Sequence, residues 1–349
     1  MSRTRNATPL DEQIKHHLDS TEEEVPESDG NFDYVVSTGS TLLDLEIAGG
    51  RIRGGGIPAG ILVEVYGPSG SGKTVLLSEV AGGIQRLGGD VLFHDPEARL
   101  NQQFARMFGL ELTPENYRTP DRVPEVFKAV RAWEPTDPKI VNGIMADSLA
   151  ALSTTQEMDN DDGDKMGMRR AKEFSEELRK TCRIIKQRNY LMICSNQVRV
   201  NVDAGPYGQK YTTPGGKAME FYASLRLKTN MLKKHKISRT FSGKEIERII
   251  GVRVEVEVTK SSIWRPYGVA PVTIIFDYGI DDIRENLQFI KDHSKFNVYT
   301  LGGEGLDKSI NRAIEAIEQD NLAEELRNEV IALWTDIESK FKSERKPKR

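Results

Sequence analysis

Eight consecutive residues have the types and spacing to hold a polyphosphate: Gly67, Pro68, Ser69, Gly70, Ser71, Gly72, Lys73 and Thr74 read G-x-x-x-x-G-K-[ST] without a mismatch. Glycines let successive backbone N–H groups close around phosphate oxygens, and a helix beginning at the lysine turns its positive end toward the same anion. Lys73 is the cation for the β and γ phosphates and Thr74 the hydroxyl for Mg²⁺, with Val75 completing the stretch. Four further residues stand at the ends of three apolar runs, where phosphate chemistry needs polar groups. Asp147 closes the run 140–147, suited to orient Mg²⁺ or its water through Thr74. Glu97 follows the run 90–94, where an acid can orient an attacking water, and Asn196 and Gln197 follow 191–195, two amides able to sense a γ-phosphate. Each of these residues alone is an ordinary strand-end or loop polar group; after a phosphate loop each acquires a task.

The elements that must position these groups are visible as a pattern. An apolar run at 61–66 reads as a buried strand before the loop, and 75–87 has helical spacing after it. Short apolar runs at 61–66, 90–94, 140–147 and 191–195 alternate with helical patterns at 74–87, 101–108, 123–133 and 169–187, so the expected fold is α/β with a mostly parallel central sheet. Runs at 221–228, 253–260 and 272–277 read as strands joined by turns, ending the sheet in antiparallel neighbours. The expected organisation is a core over 34–279, a small mainly helical C-terminal domain over 280–341, and a basic tail over 342–349. Residues 1–33 stand apart. Thr8 and Pro9 start a short helix with Leu10, Ile14 and Leu18 on one side, followed by an acidic linker.

Composition bounds the remainder. A chain of 349 residues accommodates about two domains, and 38% hydrophobic with 29% charged residues is ordinary for a soluble protein. No apolar run reaches the ~18 residues needed to span a bilayer, and the polar N-terminus has no signal-peptide core; the expectation is a cytoplasmic protein without a membrane partner. Cys182 and Cys194 have no metal-site spacing and are expected to be buried structural thiols. A formal net charge of −4 excludes a uniformly basic nucleic-acid protein, so any DNA contact must come from local clusters.

Over about residues 36–334 the chain resembles the RecA-type recombinases. The resemblance rests on Ser37-Thr38-Gly39-Ser40 with Leu43-Asp44, Val65-Tyr66-Gly67-Pro68, and Asp147-Ser148-Leu149-Ala150-Ala151-Leu152. It continues in Asn196-Gln197-Val198-Arg199, Gly215-Gly216-Lys217-Ala218, Phe221-Tyr222-Ala223-Ser224, Thr259-Lys260 and Asp277-Tyr278-Gly279-Ile280. It implies a RecA-like ATPase core in which Glu97 activates water, Gln197 links nucleotide state to DNA binding, Phe104 stacks on adenine beside Asn101, and Lys260 reaches the nucleotide of a neighbouring subunit. It also implies two DNA-carrying loops, here about 157–168 and 199–214. Their composition fits: Arg199, Val202, Tyr207, Lys210 and Tyr211 interleave cations and ring faces, suited to following a single strand and its bases, with Gly215 and Gly216 beyond. Met166, Arg169 and Arg170 serve the first loop, while the acidic stretch 159–164 must turn away from phosphates.

Departures from the family pattern are informative. Ser262 stands where a second lysine is common, Asn101 replaces an aspartate near adenine, and Glu255 and Glu257 replace basic residues of a second DNA site. Lys233, Lys234, Lys236 and Arg239 lie nearby in what reads as a solvated turn. The tail 340–349 holds six basic residues against one acid, a composition that attracts duplex DNA. The expected activity is ATP hydrolysis with Mg²⁺ by a helical homo-oligomer on single-stranded DNA, pairing that strand with homologous double-stranded DNA. The alternatives are an ATP-gated regulator or mediator without strand exchange, and a hexameric helicase. Phe221-Tyr222-Ala223-Ser224 and the C-terminal helices favour the recombinase over the helicase.

Overall fold

In the computed structural model, residues 34–154, 166–200, 211–212, 217–342 and 345 are described. The N-terminal helix and acidic linker expected over 1–33, and most of the basic tail, lie outside them. Strand β3 (Ile61–Gly67) forms because its side chains are taken up on both faces: Ile61, Val63 and Val65 enter one apolar cluster while Leu62 enters a second. The sheet around it has nine strands in the order β13-β12-β11-β10-β3-β7-β6-β4-β5. From β10 (Leu225–Phe241) through β3, β7 (Tyr190–Gln197), β6 (Asn142–Ala146), β4 (Val91–His94) and β5 (Tyr117–Arg118) every pairing is parallel. From β10 through β11 (Lys244–Ser261), β12 (Val269–Ile275) and β13 (Gly279–Ile280) every pairing is antiparallel. This is the expected α/β architecture.

Helices cover the two faces of the parallel half. Before β3, β1 (Val35–Val36) pairs with β2 (Ile57–Pro58), and between them lies helix α1 (Thr41–Ala48). Helix α2 (Lys73–Arg86) follows the phosphate loop and buries Leu76, Leu77, Val80 and Ile84 with the Val63 cluster. The short α3 (Gln102–Met107) leads on to α4 (Val123–Ala132) and the long α5 (Met166–Gln187), which pack on the Leu62 face, where Phe127 meets Phe174 edge to face at 6.1 Å. Short strands β8 (Arg199–Val200) and β9 (Tyr211–Thr212) pair with each other, and α6 (Lys217–Tyr222) leads into β10. Two boundaries differ from expectation. Phe221 and Tyr222 close α6 rather than open a strand. The stretch around Lys233 to Arg239, expected as a turn, instead belongs to a long hairpin in which β10 and β11 pair out to Phe241 and Lys244. Its distal side chains are mostly exposed, so the alternation of apolar and polar residues that marks a half-buried strand is weak there.

The C-terminal segment contains α7 (Asp282–His293), the hairpin β14 (Tyr299–Leu301) and β15 (Glu304–Asp307), α8 (Ile310–Gln319) and α9 (Ala323–Lys340). Leu287, Ile317, Leu326 and Trp334 are continuous with the cluster that holds Val63 and Leu77. Polar ties run to α1: Asp282 accepts hydrogen bonds from the Thr41 N–H and hydroxyl, both at 2.7 Å, and the Trp334 indole donates to Glu46 at 3.1 Å. Among the described residues no helix is long and apolar enough to cross a membrane. Both cysteines are free thiols; Cys194 is buried as expected, whereas Cys182 is only half-buried.

Asp44 of α1 is fully buried and takes hydrogen bonds from the Thr38 N–H (2.8 Å), the Thr38 hydroxyl (2.7 Å) and the Ser37 hydroxyl (2.6 Å), with the Arg327 guanidinium at 3.8 Å. Burial nevertheless pushes its carboxyl up to about 6. Asp44→Ala strips acceptors from two hydroxyls and an N–H and leaves the buried Arg327 without this partner. The expected loss is about 3–5 kcal/mol, read as a lowered urea midpoint; an unchanged midpoint would show that this network contributes nothing to holding α9 on the core.

Candidate functional site

The phosphate loop sits where β3 ends at the centre of the sheet. Gly70 and Gly72 have φ of 74° and 83°, a left-handed conformation that side chains resist, and Gly72 is the N-cap of α2. Gly67 is required for a different reason: a Cβ there would lie 2.2 Å from the Thr229 carbonyl oxygen and 2.3 Å from its hydroxyl. Thr229, on β10, also shares a 2.6 Å hydrogen bond with Ser71, whose hydroxyl reaches the Pro68 carbonyl at 2.7 Å. Pro68, Ser69 and Gly70 are exposed at the crest, and Val75 is half-buried in the first turn of α2. Lys73 is 8% exposed, and its ammonium donates to the carbonyls of Gly67 (3.1 Å) and Pro68 (2.7 Å). Burial lowers its pKa, while Asp147 and Glu97 act to raise it.

Parallel pairing brings the other expected polar groups to the same edge. Gly67 lies directly across from Gln197, Tyr66 from Asn196, and Ala146 from Cys194. The Asp147 carboxylate therefore meets Thr74, whose hydroxyl donates to Oδ2 at 2.5 Å, and Ser195, whose hydroxyl donates to Oδ1. Burial raises the Asp147 pKa against the lowering effect of these two hydrogen bonds; nearby Asp95 raises it further and Lys73 lowers it. A hydroxyl and a carboxylate oxygen in contact beside a phosphate loop are hard oxygen donors of the kind that suit Mg²⁺, so the residues present fit a Mg²⁺-bound polyphosphate.

Glu97 is held by the turn that follows β4. The Ala98 N–H donates to the Asp95 carbonyl at 3.0 Å, and the Asp95 carboxylate accepts from the Leu100 N–H (2.7 Å) and the Tyr117 hydroxyl (2.8 Å). Oε1 of Glu97 accepts from the Ser148 hydroxyl and from the Gln197 amide, each at 3.3 Å, and Oε2 pairs with the exposed Arg99 at 2.6 Å. Lys73, Thr74, Glu97, Asp147 and Gln197 thus form one cluster, with Ser148 and Ser195 as members to which the sequence assigned no role.

Other expected residues are placed elsewhere. Asn101 caps α3, its side-chain oxygen accepting from the Phe104 N–H at 2.7 Å, and the half-buried Phe104 ring lies 5.0 Å from Phe108. Lys260 is not in this chain's own cluster: its ammonium donates to the carbonyls of Glu220 (2.7 Å) and Phe221 (3.0 Å) at the end of α6. Its pKa is lowered by burial and then by Arg226, with Glu220 and Glu64 opposing. Met166 and Arg169 fall in the first turn of α5 and Arg199 in β8; Arg170 donates to the Leu152 carbonyl. Val202, Tyr207, Lys210, Gly215 and Gly216 lie outside the described residues.

One polar group in the core was legible as an anomaly, a carboxylate inside the buried run of β3. Glu64, fully buried, accepts from Asn196 at 3.0 Å and from Arg226 at 2.6 Å. Arg226 lies 4.5 Å over the Tyr66 ring, whose hydroxyl donates to Thr259 at 3.0 Å. A buried charge of this kind persists only when paired and hydrogen-bonded, which is what Asn196 and Arg226 supply. Neighbours on β7 therefore serve opposite faces: Asn196 serves this network and Gln197 serves Glu97.

Comparison with known proteins identifies the family. The model of the RecA N-terminal domain matches residues 26–281, which contain the whole cluster. A protein named Protein RecA from Delftia acidovorans is 32% identical over 303 residues, covering 85% of this chain and 78% of its own length. Another Protein RecA, from Azoarcus sp. strain BH72, is 32% identical over 312 residues, covering 86% of each chain. With a phosphate loop, a buried Asp147 and a matched domain spanning most of the sheet, the chain belongs to the RecA family.

Proposed function

We propose that this protein is an ATP-dependent homologous-recombination protein that binds ATP with Mg²⁺ at the loop 67–74, assembles as a helical filament on single-stranded DNA, and pairs that strand with homologous duplex. The observation that carries the reading is the contact between Gln197 and Glu97 beside the Thr74–Asp147 pair. An acid placed for a water and an amide at the root of a loop read as DNA-binding meet next to the phosphate cradle. The relatives named Protein RecA support the reading at the level of the family.

Mg²⁺ bound at Thr74 and Asp147 would neutralise charge that develops on the phosphate oxygens during transfer. Lys73 turns from the loop carbonyls toward those oxygens, in surroundings where its charge is weakly screened. Glu97, oriented by Ser148 and Gln197, accepts the proton of the attacking water. Gln197 reports the nucleotide by exchanging Glu97 for a phosphate oxygen, which shifts the strand end leading into β8. On assembly, Lys260 leaves the end of α6 for the nucleotide of the adjacent subunit.

Lys73→Ala is expected to lower ATP turnover at least ~100-fold with loss of nucleotide binding, whereas Glu97→Gln keeps binding and loses turnover by a similar factor. Equal hydrolysis rates for wild type and Glu97→Gln would remove Glu97 from the mechanism.

Single-strand binding is expected to require ATP and to weaken with salt, each of Arg199→Gln and Lys210→Gln lowering the log-log slope by about 0.7. Tyr207→Ala should cost about 1–3 kcal/mol of affinity with the slope unchanged, because stacking is not ionic. Salt-independent binding, or none with ATP present, would favour the regulator.

A shared site is tested by mixing. Glu97→Gln protein retains Lys260, and Lys260→Ala protein retains Glu97, so filaments of both contain some junctions with two sound faces. Part of the ATPase should return in the mixture. If it stays as inactive as its components while both co-assemble on DNA, Lys260 acts only within its own chain, holding α6.

A further inference from the structure

The phosphate loop rests on the sheet where parallel pairing gives way to antiparallel. β10 runs parallel to β3 as far as Lys228, level with Tyr66, so the next residue, Thr229, stands beside Gly67, where the loop begins. The side chains around it on that face are apolar. A Cβ at Gly72 would lie 2.4 Å from Ile274 of β12 and 4.0 Å from Val254 of β11, and Val256 is the residue paired with Thr229. Leu225 and Leu227, on the same side of β10, are fully buried in the cluster that holds all three. The alternation that packs this face therefore asks for an apolar residue at 229, and a valine would have the shape of the threonine. Thr229 is buried nonetheless. A buried hydroxyl costs free energy unless it is hydrogen-bonded, so its partner indicates its task.

That partner is the loop. Thr229 Oγ1 and Ser71 Oγ lie 2.6 Å apart, and the Ser71 hydroxyl donates its proton to the Pro68 carbonyl at 2.7 Å. Ser71 then has lone pairs to offer Thr229, which makes Thr229 the donor of the 2.6 Å bond; its other acceptor, the Tyr66 carbonyl, is farther away at 3.4 Å. The Pro68 carbonyl is also the nearer of the two that hold the Lys73 ammonium. Thr229, Ser71, Pro68 and Lys73 thus form one hydrogen-bonded chain from the sheet to the cation of the site. A loop that presents N–H groups to an anion must keep its carbonyls turned from it. When Lys73 turns toward phosphate, the Ser71 hydroxyl still holds the Pro68 carbonyl, and Thr229 holds the hydroxyl.

We propose that Thr229 is a positioning residue of the phosphate loop: through Ser71 it fixes the Pro68 carbonyl and so keeps the loop N–H groups set for a nucleoside di- or triphosphate before one arrives. The proposal deepens the reading of 67–74 as the ATP site and rests on it. Its effect falls on binding, because a loop that is only partly in its competent form raises the apparent Kd by the inverse of the competent fraction. ADP and ATP feel that loss alike, since the bond acts on the loop and not on a particular phosphate. Glu97 and Asp147 are held by other contacts, so the chemical step is untouched.

The experiment titrates the full chain with a ribose-labelled fluorescent ATP, and separately with the ADP analogue, in the presence of Mg²⁺, and measures steady-state ATP hydrolysis on single-stranded DNA. Thr229→Val keeps the shape and removes the hydroxyl. It is expected to raise Kd about two- to tenfold for both nucleotides, the range for one hydrogen bond, with KM rising alike and kcat unchanged. Thr229→Ser, which keeps the hydroxyl, should retain wild-type affinity. Ser71→Ala removes the same bond from the other side, and the double variant Ser71→Ala/Thr229→Val should bind no worse than the weaker single variant. The urea midpoint of Thr229→Val should match wild type. Tighter binding by Thr229→Val, additive losses in the double variant, or a lowered midpoint with unchanged Kd each overturn the proposal. Wild type that binds neither nucleotide removes the ATP reading and the proposal together, whereas wild type that binds both while Thr229→Val matches it removes the proposal alone.

Discussion

A carboxylate at the end of a strand buried on both faces keeps its charge only if hydrogen bonds replace the water it has lost. Asp147 meets that condition with one hydroxyl on each side, Thr74 from the helix of the phosphate loop and Ser195 from β7. The requirement joins β6, β7 and α2 at one edge of the sheet, and the parallel register that pairs Ala146 with Cys194 and Gly67 with Gln197 makes the distances come out. Burial then acts in opposite directions on the two charges it encloses, raising the Asp147 pKa and lowering that of Lys73. Both groups are under-solvated as ions, and a divalent cation with a polyphosphate is the ligand that relieves both.

The end of β7 is where this edge connects to the rest of the molecule. Successive residues of a strand point to opposite faces, so Asn196 reaches the buried Glu64, which also pairs with Arg226, while Gln197 reaches Glu97. Arg226 lies across from Lys260 on β11, and Lys260 holds the last carbonyls of α6. That strand end thus touches Glu97 on one face and, through Glu64 and Arg226, the strand neighbour of Lys260 on the other.

The change from parallel to antiparallel pairing at β10 has a consequence for the surface. Parallel strands need layers on both faces and crossovers between them, which keeps them short and covered. A hairpin needs neither, so β10 and β11 extend past the strands beside them and carry side chains selected by something other than the core. There, bulky apolar residues and cations face one another across the strands in the open.

By itself the sequence determined the phosphate loop, the strand before it, the helix after it, and the polar residues that end β6 and β7. All of these depend on neighbours in the chain: left-handed glycines, a helix N-terminus, and apolar runs long enough to be buried. It also placed Glu97 and Gln197 after their strands, although not against each other. Only the tertiary structure decided that Thr229 backs Gly67 and Ser71 across 158 residues of chain, that Arg226 neutralises Glu64 across 162, and that Lys260 caps α6. The same holds for the basic stretch after Asn230, which became strand because β11 returns beside it, its own side chains carrying no buried period to announce it. Local conformation follows from steric and hydrogen-bonding preferences of adjacent residues, whereas contacts between distant ones exist only once burial of the sheet has brought them within reach.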